Sequence, residues 1–206
     1  MNSRYELSHQ VRVEMAMYLI MAMAMSMSFY FMSHGHYYIL SEYALCPRDI
    51  THWKGILLHP FIHSTDIHLY GNLCMFFVLS NMITVTRVRS NIIILLLYII
   101  TACLLWLFCD PTKKLIGISA FCFAEAGFLF VSALIERTWW SLFVSITSLS
   151  LYGFTVWNGT FNAQVGVSAR GHFLGFVSGM IVAWIIYMII KRQKAKGIRS
   201  QLKERK

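Results

Sequence analysis

Charge is what this sequence has least of. Only 13% of its 206 residues are Asp, Glu, Lys or Arg, while 57% are apolar. A soluble globular domain usually carries about 25% charged residues, so the deficit argues against one. Proline is scarce too. Pro47, Pro60 and Pro111 are the only three, and all lie outside the long apolar runs, where a proline would break a helix. There is no internal repeat and no low-complexity linker. That leaves a single domain and disfavours a transporter assembled from duplicated halves.

What the sequence does have is six apolar runs of 18–20 residues, at 15–32, 67–86, 91–109, 116–135, 139–157 and 172–190. Runs of that length cross a hydrocarbon core of roughly 30 Å at 1.5 Å per residue. The expectation is an all-α membrane protein: a six-transmembrane-helix bundle over residues 1–190 and a basic tail at 191–206. The first run alternates Met with small residues from Met15 to Met32, which imitates a strand period. A lone strand cannot satisfy its backbone in lipid, so a helix is expected. The run exceeds the ~7–15 residue core of a signal peptide, and its flank mixes Glu6 and Glu14 with Arg4 and Arg12.

The net charge of +9 raises the question of nucleic acid. Its distribution points to a bilayer instead. Eight of the 18 Lys and Arg follow the last run, from Lys191 to Lys206, and six spans put both termini on one side. With Arg4, Arg12, Arg87, Arg89 and Arg137, that side holds thirteen cations. Arg48, Lys54, Lys113, Lys114 and Arg170 give the other side five. The positive-inside rule then places both termini in the cytosol, with the tail resting on anionic headgroups. Of five cysteines, Cys74, Cys103 and Cys122 fall inside spans as small apolar packers. Cys46 and Cys109 fall on or near the other side, and their spacing does not say whether they pair. Asn158-Gly159-Thr160 is a glycosylation sequon placed in the fifth connection.

Polar groups inside a bilayer are costly, so each invites a functional reading. Three clusters stand out. His59, His63, His68 and Asn72 precede or open the second span. His68 and Asn72 are four apart and share a helix face, offering two N–H donors. Such residues also serve to bond neighbouring helices. Histidines at this spacing also suit zinc, but Asp66 alone does not complete a ligand set, and no metal is expected. Gly117-Ile118-Ser119-Ala120 opens the fourth span. A lone serine there commonly bonds back to its own helix. His172 opens the sixth span one turn before Gly175, with Gly179 a further turn on, and small residues at that spacing let helices approach closely.

Together the three make a coherent set. A serine hydroxyl is a weak nucleophile and needs a base, histidine is the usual one, and a tetrahedral intermediate needs donors for its oxyanion. Ser119, His172 and the His68/Asn72 pair fill these roles. Spans two, four and six run the same way, so all lie near one membrane face. No carboxylate is placed to orient His172, which favours a dyad over a triad.

These residues resemble the rhomboid family of intramembrane serine proteases, over Trp53 to Gly179. Trp53-Lys54 resembles the family's Trp-Arg pair. His59, His63, His68 and Asn72 resemble its H-x3-H-x4-H-x3-N spacing. Gly117-Ile118-Ser119-Ala120 resembles its GxSG, with Ala124 and Gly127 at later small positions, and His172, Gly175 and Gly179 resemble its HxxGxxxG. The resemblance implies Ser119 as nucleophile, His172 as base, and an oxyanion site of His68, Asn72 and the Ser119 amide. It also implies Phe123 packed on the His172 ring, no cofactor, and transmembrane proteins as substrates. The wording around His68-Leu69-Tyr70 looks most like the endoplasmic reticulum branch. Two departures stand out. Ala120 replaces the last motif glycine, where a methyl is expected to crowd substrate or the helix contact. Lys54 replaces arginine, losing a bidentate contact. A second reading is therefore a pseudoprotease that captures membrane clients. Glu125, with no cation in any span to pair with, is expected to be neutral and to donate a hydrogen bond within the bundle, on a different face from Ser119.

Overall fold

A segment inside hydrocarbon must satisfy its own backbone N–H and C=O groups, and the six apolar runs do so as helices. The computed structural model describes residues 2–36, 38, 41–87, 89–161 and 168–204. The long helices are α1 (Asn2–Phe31), α3 (Asp66–Thr86), α4 (Ser90–Phe108), α5 (Ser119–Glu136), α6 (Trp139–Phe161) and α7 (Ala169–Glu204). The short α2 (Trp53–Leu58) lies in the first connection between 3-10 turns at Ile50–His52 and His59–Phe61. All six long helices have the length and hydropathy to cross a membrane. Among the described residues the only extended pairing is an isolated bridge between Leu45 and Leu115. The expected all-α, six-span architecture is borne out.

The boundaries differ in several places, beginning with α1, which starts at Asn2 rather than 15. α5 begins at Ser119, not 116, because Gly117 turns the chain at φ +92°. The stretch expected as a separate tail from 191 continues α7 as far as Glu204. Lys, Arg, Gln and Ala are good helix formers and give it little reason to stop. The sequon lies inside α6 rather than in a connection, since that helix runs on to Phe161.

α5 is the centre of the bundle. Every residue from Ala120 to Leu129 is buried, with α3, α4, α6 and α7 packed around it. Its closest partner is α7, and glycine makes that approach feasible. A Cβ on Gly175 would lie 2.1 Å from the Ala120 carbonyl oxygen, one on Gly179 2.0 Å from that of Ala124, and one on Gly127 2.3 Å from that of Phe176. The side chains of Tyr18, Phe76, Leu79, Ile83, Leu97 and Phe128 fill the core. Leu95, Phe143, Ile146, Phe154 and Trp184 stand exposed on the outer faces, as expected where the surrounding solvent is lipid. Cys122 is buried, whereas Cys74 and Cys103 are on the outer surface rather than packed inside.

Glu14, which reads in the sequence as a flanking charge, is 2% exposed. Its carboxyl accepts from Ser90 Oγ at 2.7 and 2.8 Å, Thr84 Oγ1 at 2.6 Å, Tyr18 Oη at 3.3 Å and the Asn91 amide at 3.2 Å. An acid from α1 thereby caps the first turn of α4, where free N–H groups favour negative charge. Glu125 is fully buried and accepts from Ser80 Oγ on α3, while its Oε2 has no hydrogen-bond partner. It is bonded within the bundle as expected, but as an acceptor rather than the expected donor.

The first connection is fastened to the fourth helix and to the segment before α5. Leu45 and Leu115 exchange both backbone hydrogen bonds at 2.9 Å, and the Arg48 amide donates to the Trp106 carbonyl at 3.0 Å. Cys46 and Cys109 are both buried and both free.

Candidate active site

Ser119 is the first residue of α5, where the amides of the opening turn have no carbonyl four residues back. The turn that delivers it is held from outside. The Gly117 amide donates to the His59 carbonyl at 2.9 Å, and Gly117 takes a left-handed φ that side chains rarely adopt. His59 is anchored in turn, its Nδ1–H donating to the Gly55 carbonyl at 3.0 Å. Gly55 itself sits so close to Ala44 that a Cβ would lie 1.9 Å from that carbonyl oxygen.

His172 opens the first turns of α7, and the glycine contacts set its height against α5. Its Nε2 lies 2.9 Å from Ser119 Oγ. The ring stacks on Phe123, with centroids 4.1 Å apart and planes 14° from parallel. Stacking fixes the ring plane, and the α5–α7 contact fixes its distance from the serine. Ser119 is half-buried and His172 is 8% exposed.

His68 and Asn72 arrive from the first turns of α3. Thr65 caps that helix, its hydroxyl accepting from the His68 amide at 3.2 Å. Both side chains press on Gly117. A Cβ there would lie 2.7 Å from His68 Cε1, 3.0 Å from His68 Nε2 and 3.4 Å from Asn72 Nδ2. Glycine at 117 therefore admits these two donors beside the turn as well as permitting the turn itself.

His63 is fully buried and accepts from Asn72 Nδ2 at 3.0 Å through Nε2. Burial, with the nearby His68 adding to it, pushes its pKa down to about 3. A neutral ring can accept from Asn72, and a protonated one cannot. Burial likewise lowers His59 to about 4. The histidine series thus divides its work: His59 holds the turn, His63 orients Asn72, and His68 faces the turn.

The structure therefore brings together Ser119, His172, Phe123, His68, Asn72, His63 and Gly117, with Gly175 and Gly179 forming the helix contact behind them. Trp53 and Lys54 stand exposed on α2. Ala120 belongs to a small apolar cluster with Leu45, Leu105 and Cys109, against which Leu174 of α7 packs, so it lies where α5, α4, α7 and the first connection meet. Among the described residues no three His, Cys, Asp or Glu side chains gather as a metal-binding group. The anchoring role of the His59 carbonyl was not legible in the sequence, because backbone contacts leave no mark on residue type.

A family model described as Rhomboid domain matches residues 51–189. The chain is 26% identical over 141 residues to proteins of Mycobacterium bovis and Mycobacterium tuberculosis, each described as uncharacterized. The match covers 64% of this chain and 58% of each relative's length.

Proposed function

This chain belongs to the rhomboid family, and from that premise we propose that it is an intramembrane serine endopeptidase. It is a multi-pass membrane protein with six apolar helices, and its proposed substrates are other membrane proteins, cleaved within or beside a transmembrane segment. The observation that carries the reading is the 2.9 Å separation of His172 Nε2 from Ser119 Oγ, with the ring stacked on Phe123.

In the proposed reaction Ser119 Oγ attacks the scissile carbonyl carbon while His172 Nε2 takes the hydroxyl proton. The carbonyl oxygen becomes an oxyanion beside the N-terminus of α5, within reach of the Ser119 amide, His68 and Asn72. His172 returns the proton to the leaving amine as the C–N bond breaks, leaving an acyl-enzyme. Water then attacks the ester, His172 takes a proton from it, and Ser119 leaves protonated. No cofactor enters this scheme.

The thirteen-to-five split of cations supports a cytosolic placement of both termini, with residues 1–190 as the membrane domain and 191–206 as a basic cytosolic tail. The sequence around His68 supports the endoplasmic reticulum. Single cysteines at Thr112 and Ser200 test the orientation in sealed vesicles: the first should label from the lumenal face and the second from the cytosolic face.

The direct test of the activity is covalent labelling by a fluorophosphonate probe, with cleavage of a helix-destabilised transmembrane substrate in liposomes. Wild type should label and cleave, whereas Ser119→Ala and His172→Ala should do neither while remaining folded. A wild type that binds such substrates without labelling or cleaving would instead be a pseudoprotease.

A further inference from the structure

A cavity of 480 Å³ opens at the far end of the bundle from Ser119, between Arg87 just past α3, the last turns of α5 and the middle of α7. The volume falls in the range of small-ligand sites, about 300–1,000 Å³. One face of α7 forms a wall: Ala183, Ile186 and Tyr187, then Ile190, Lys191 and Lys194, at the three- and four-residue spacing of a single helix face. The lining changes along that face from apolar to cationic. Opposite it lie Phe128, Arg87 and Glu136.

The charges at the rim do not cancel. Arg87 pairs with Glu136 through Nη1 and lies over the Phe128 ring, with its guanidinium carbon 5.5 Å from the centroid. Its Nε is buried without a hydrogen-bond partner. Lys191 Nζ sits 5.8 Å from the Tyr187 ring centre. Among the described residues neither Lys191 nor Lys194 forms an ion pair with a carboxylate. The cavity lining thus holds one ion pair and two further cations.

Its depth in the bilayer is marked by two tryptophans. Trp139 is 90% exposed and Trp140 54%, and they follow Thr138 of the cavity lining. Exposed tryptophans gather where headgroups meet hydrocarbon. Ile190, 42% exposed, opens the apolar part of the lining to the outer surface of α7.

We propose that this cavity binds an anionic phospholipid. The phosphate lies against Lys191 and Lys194, and one acyl chain lies along Ile186 and Ile190. Lysine and arginine at the interface attract anionic headgroups, and the apolar wall matches the chain a phospholipid carries and a free phosphate lacks. The inference is independent of the peptidase reading.

Thermal unfolding of the purified chain in detergent tests it, with phosphatidylglycerol, phosphatidylcholine or inorganic phosphate added. Phosphatidylglycerol near saturation should raise Tm by about 5 °C or more, and the other two should not. The double variant Lys191→Ser/Lys194→Ser should lose that rise. Arg192→Ser/Lys196→Ser removes equal charge from neighbouring positions outside the cavity and should keep it. Equal stabilisation by phosphatidylcholine, or an equal loss in both double variants, overturns the site. An equal rise with inorganic phosphate overturns the lipid in favour of a soluble anion. If the double variant fails to fold, Lys191→Gln and Lys194→Gln alone should each reduce the rise, and an undiminished rise in both overturns the site.

Discussion

A methyl group on Gly175 would come to rest 2.1 Å from the carbonyl oxygen of Ala120. No rotamer relieves that clash, because a Cβ is fixed by the backbone. Gly175→Ala must push α7 away from α5, one turn from His172. The expected outcome is a loss of about 1–3 kcal/mol of stability, the usual cost of overpacking, with a larger proportional loss of cleavage. Thermal unfolding beside substrate turnover checks both, and an unaltered turnover would show that the contact does not set the Ser119–His172 distance.

Ala120→Gly restores the residue that the resembled motif carries. Because Ala120 packs in the cluster of Leu45, Leu105, Cys109 and Leu174, its methyl fills space where those elements meet. Stability should fall by about 1 kcal/mol, from lost packing and the entropy of glycine in a helix, with no gain in turnover. A several-fold faster variant would mean that the methyl crowds the cleft after all.

Asn72→Ala removes a proposed oxyanion donor and strands His63 Nε2. Loss of one such donor typically lowers kcat by about 10²–10³. The lower end is expected, since His68 and the Ser119 amide remain. Tm should also fall, because a buried acceptor left unpaired costs about 1–3 kcal/mol. A lower Tm with unchanged kcat would assign Asn72 a purely structural role.

Stability should decline with acid in a defined window. An ordinary histidine titrates near 6.5, whereas burial holds His59 at about 4. Between those values the unfolded chain carries a proton that the folded chain does not. The stabilisation is therefore full above pH 6.5 and lost as pH falls toward 4, with a slope of up to about 1.4 kcal/mol per pH unit. His63, at about 3, extends the decline further into acid. Tm at pH 7 should exceed Tm at pH 5, and His59→Gln should narrow the gap. An unchanged gap in that variant would place the titration elsewhere.

Glu125→Gln should fold and cleave much as wild type does, since a carboxamide oxygen can still accept from Ser80 Oγ. Glu125→Leu strands that hydroxyl in the core and should cost about 1–3 kcal/mol. Turnover and Tm together separate this from a functional role: a Gln variant of full stability and lost cleavage would show that the acid serves the reaction.

The six spans were legible because lipid imposes one rule on every residue it touches, and that rule acts on local composition. The pairing of Ser119 with His172 was legible through motif spacing, which places each at the first turns of a helix. What was hidden depended on contacts across the chain. Glu14 meets Thr84 and Ser90 only when α1 packs beside α3 and α4, and nothing near residue 14 announces those partners. The neighbours of Ala120 depend on where the first connection lies. The helix start at Ser119 follows from a hydrogen bond between Gly117 and His59, 58 residues apart in sequence.

α7 is one unbroken helix from Ala169 to Glu204, so His172 and the lysines of its far end ride on a single rod. Gly175 and Gly179, wedged against Ala120 and Ala124, clamp that rod to α5 at two points one turn apart. At 1.5 Å per residue, His172 lies about 4.5 Å before the first clamp and Lys194 about 22 Å beyond the second. A rod held at two points has no free pivot, so a pull at the lysines reaches the imidazole only by bending the helix or by breaking both contacts.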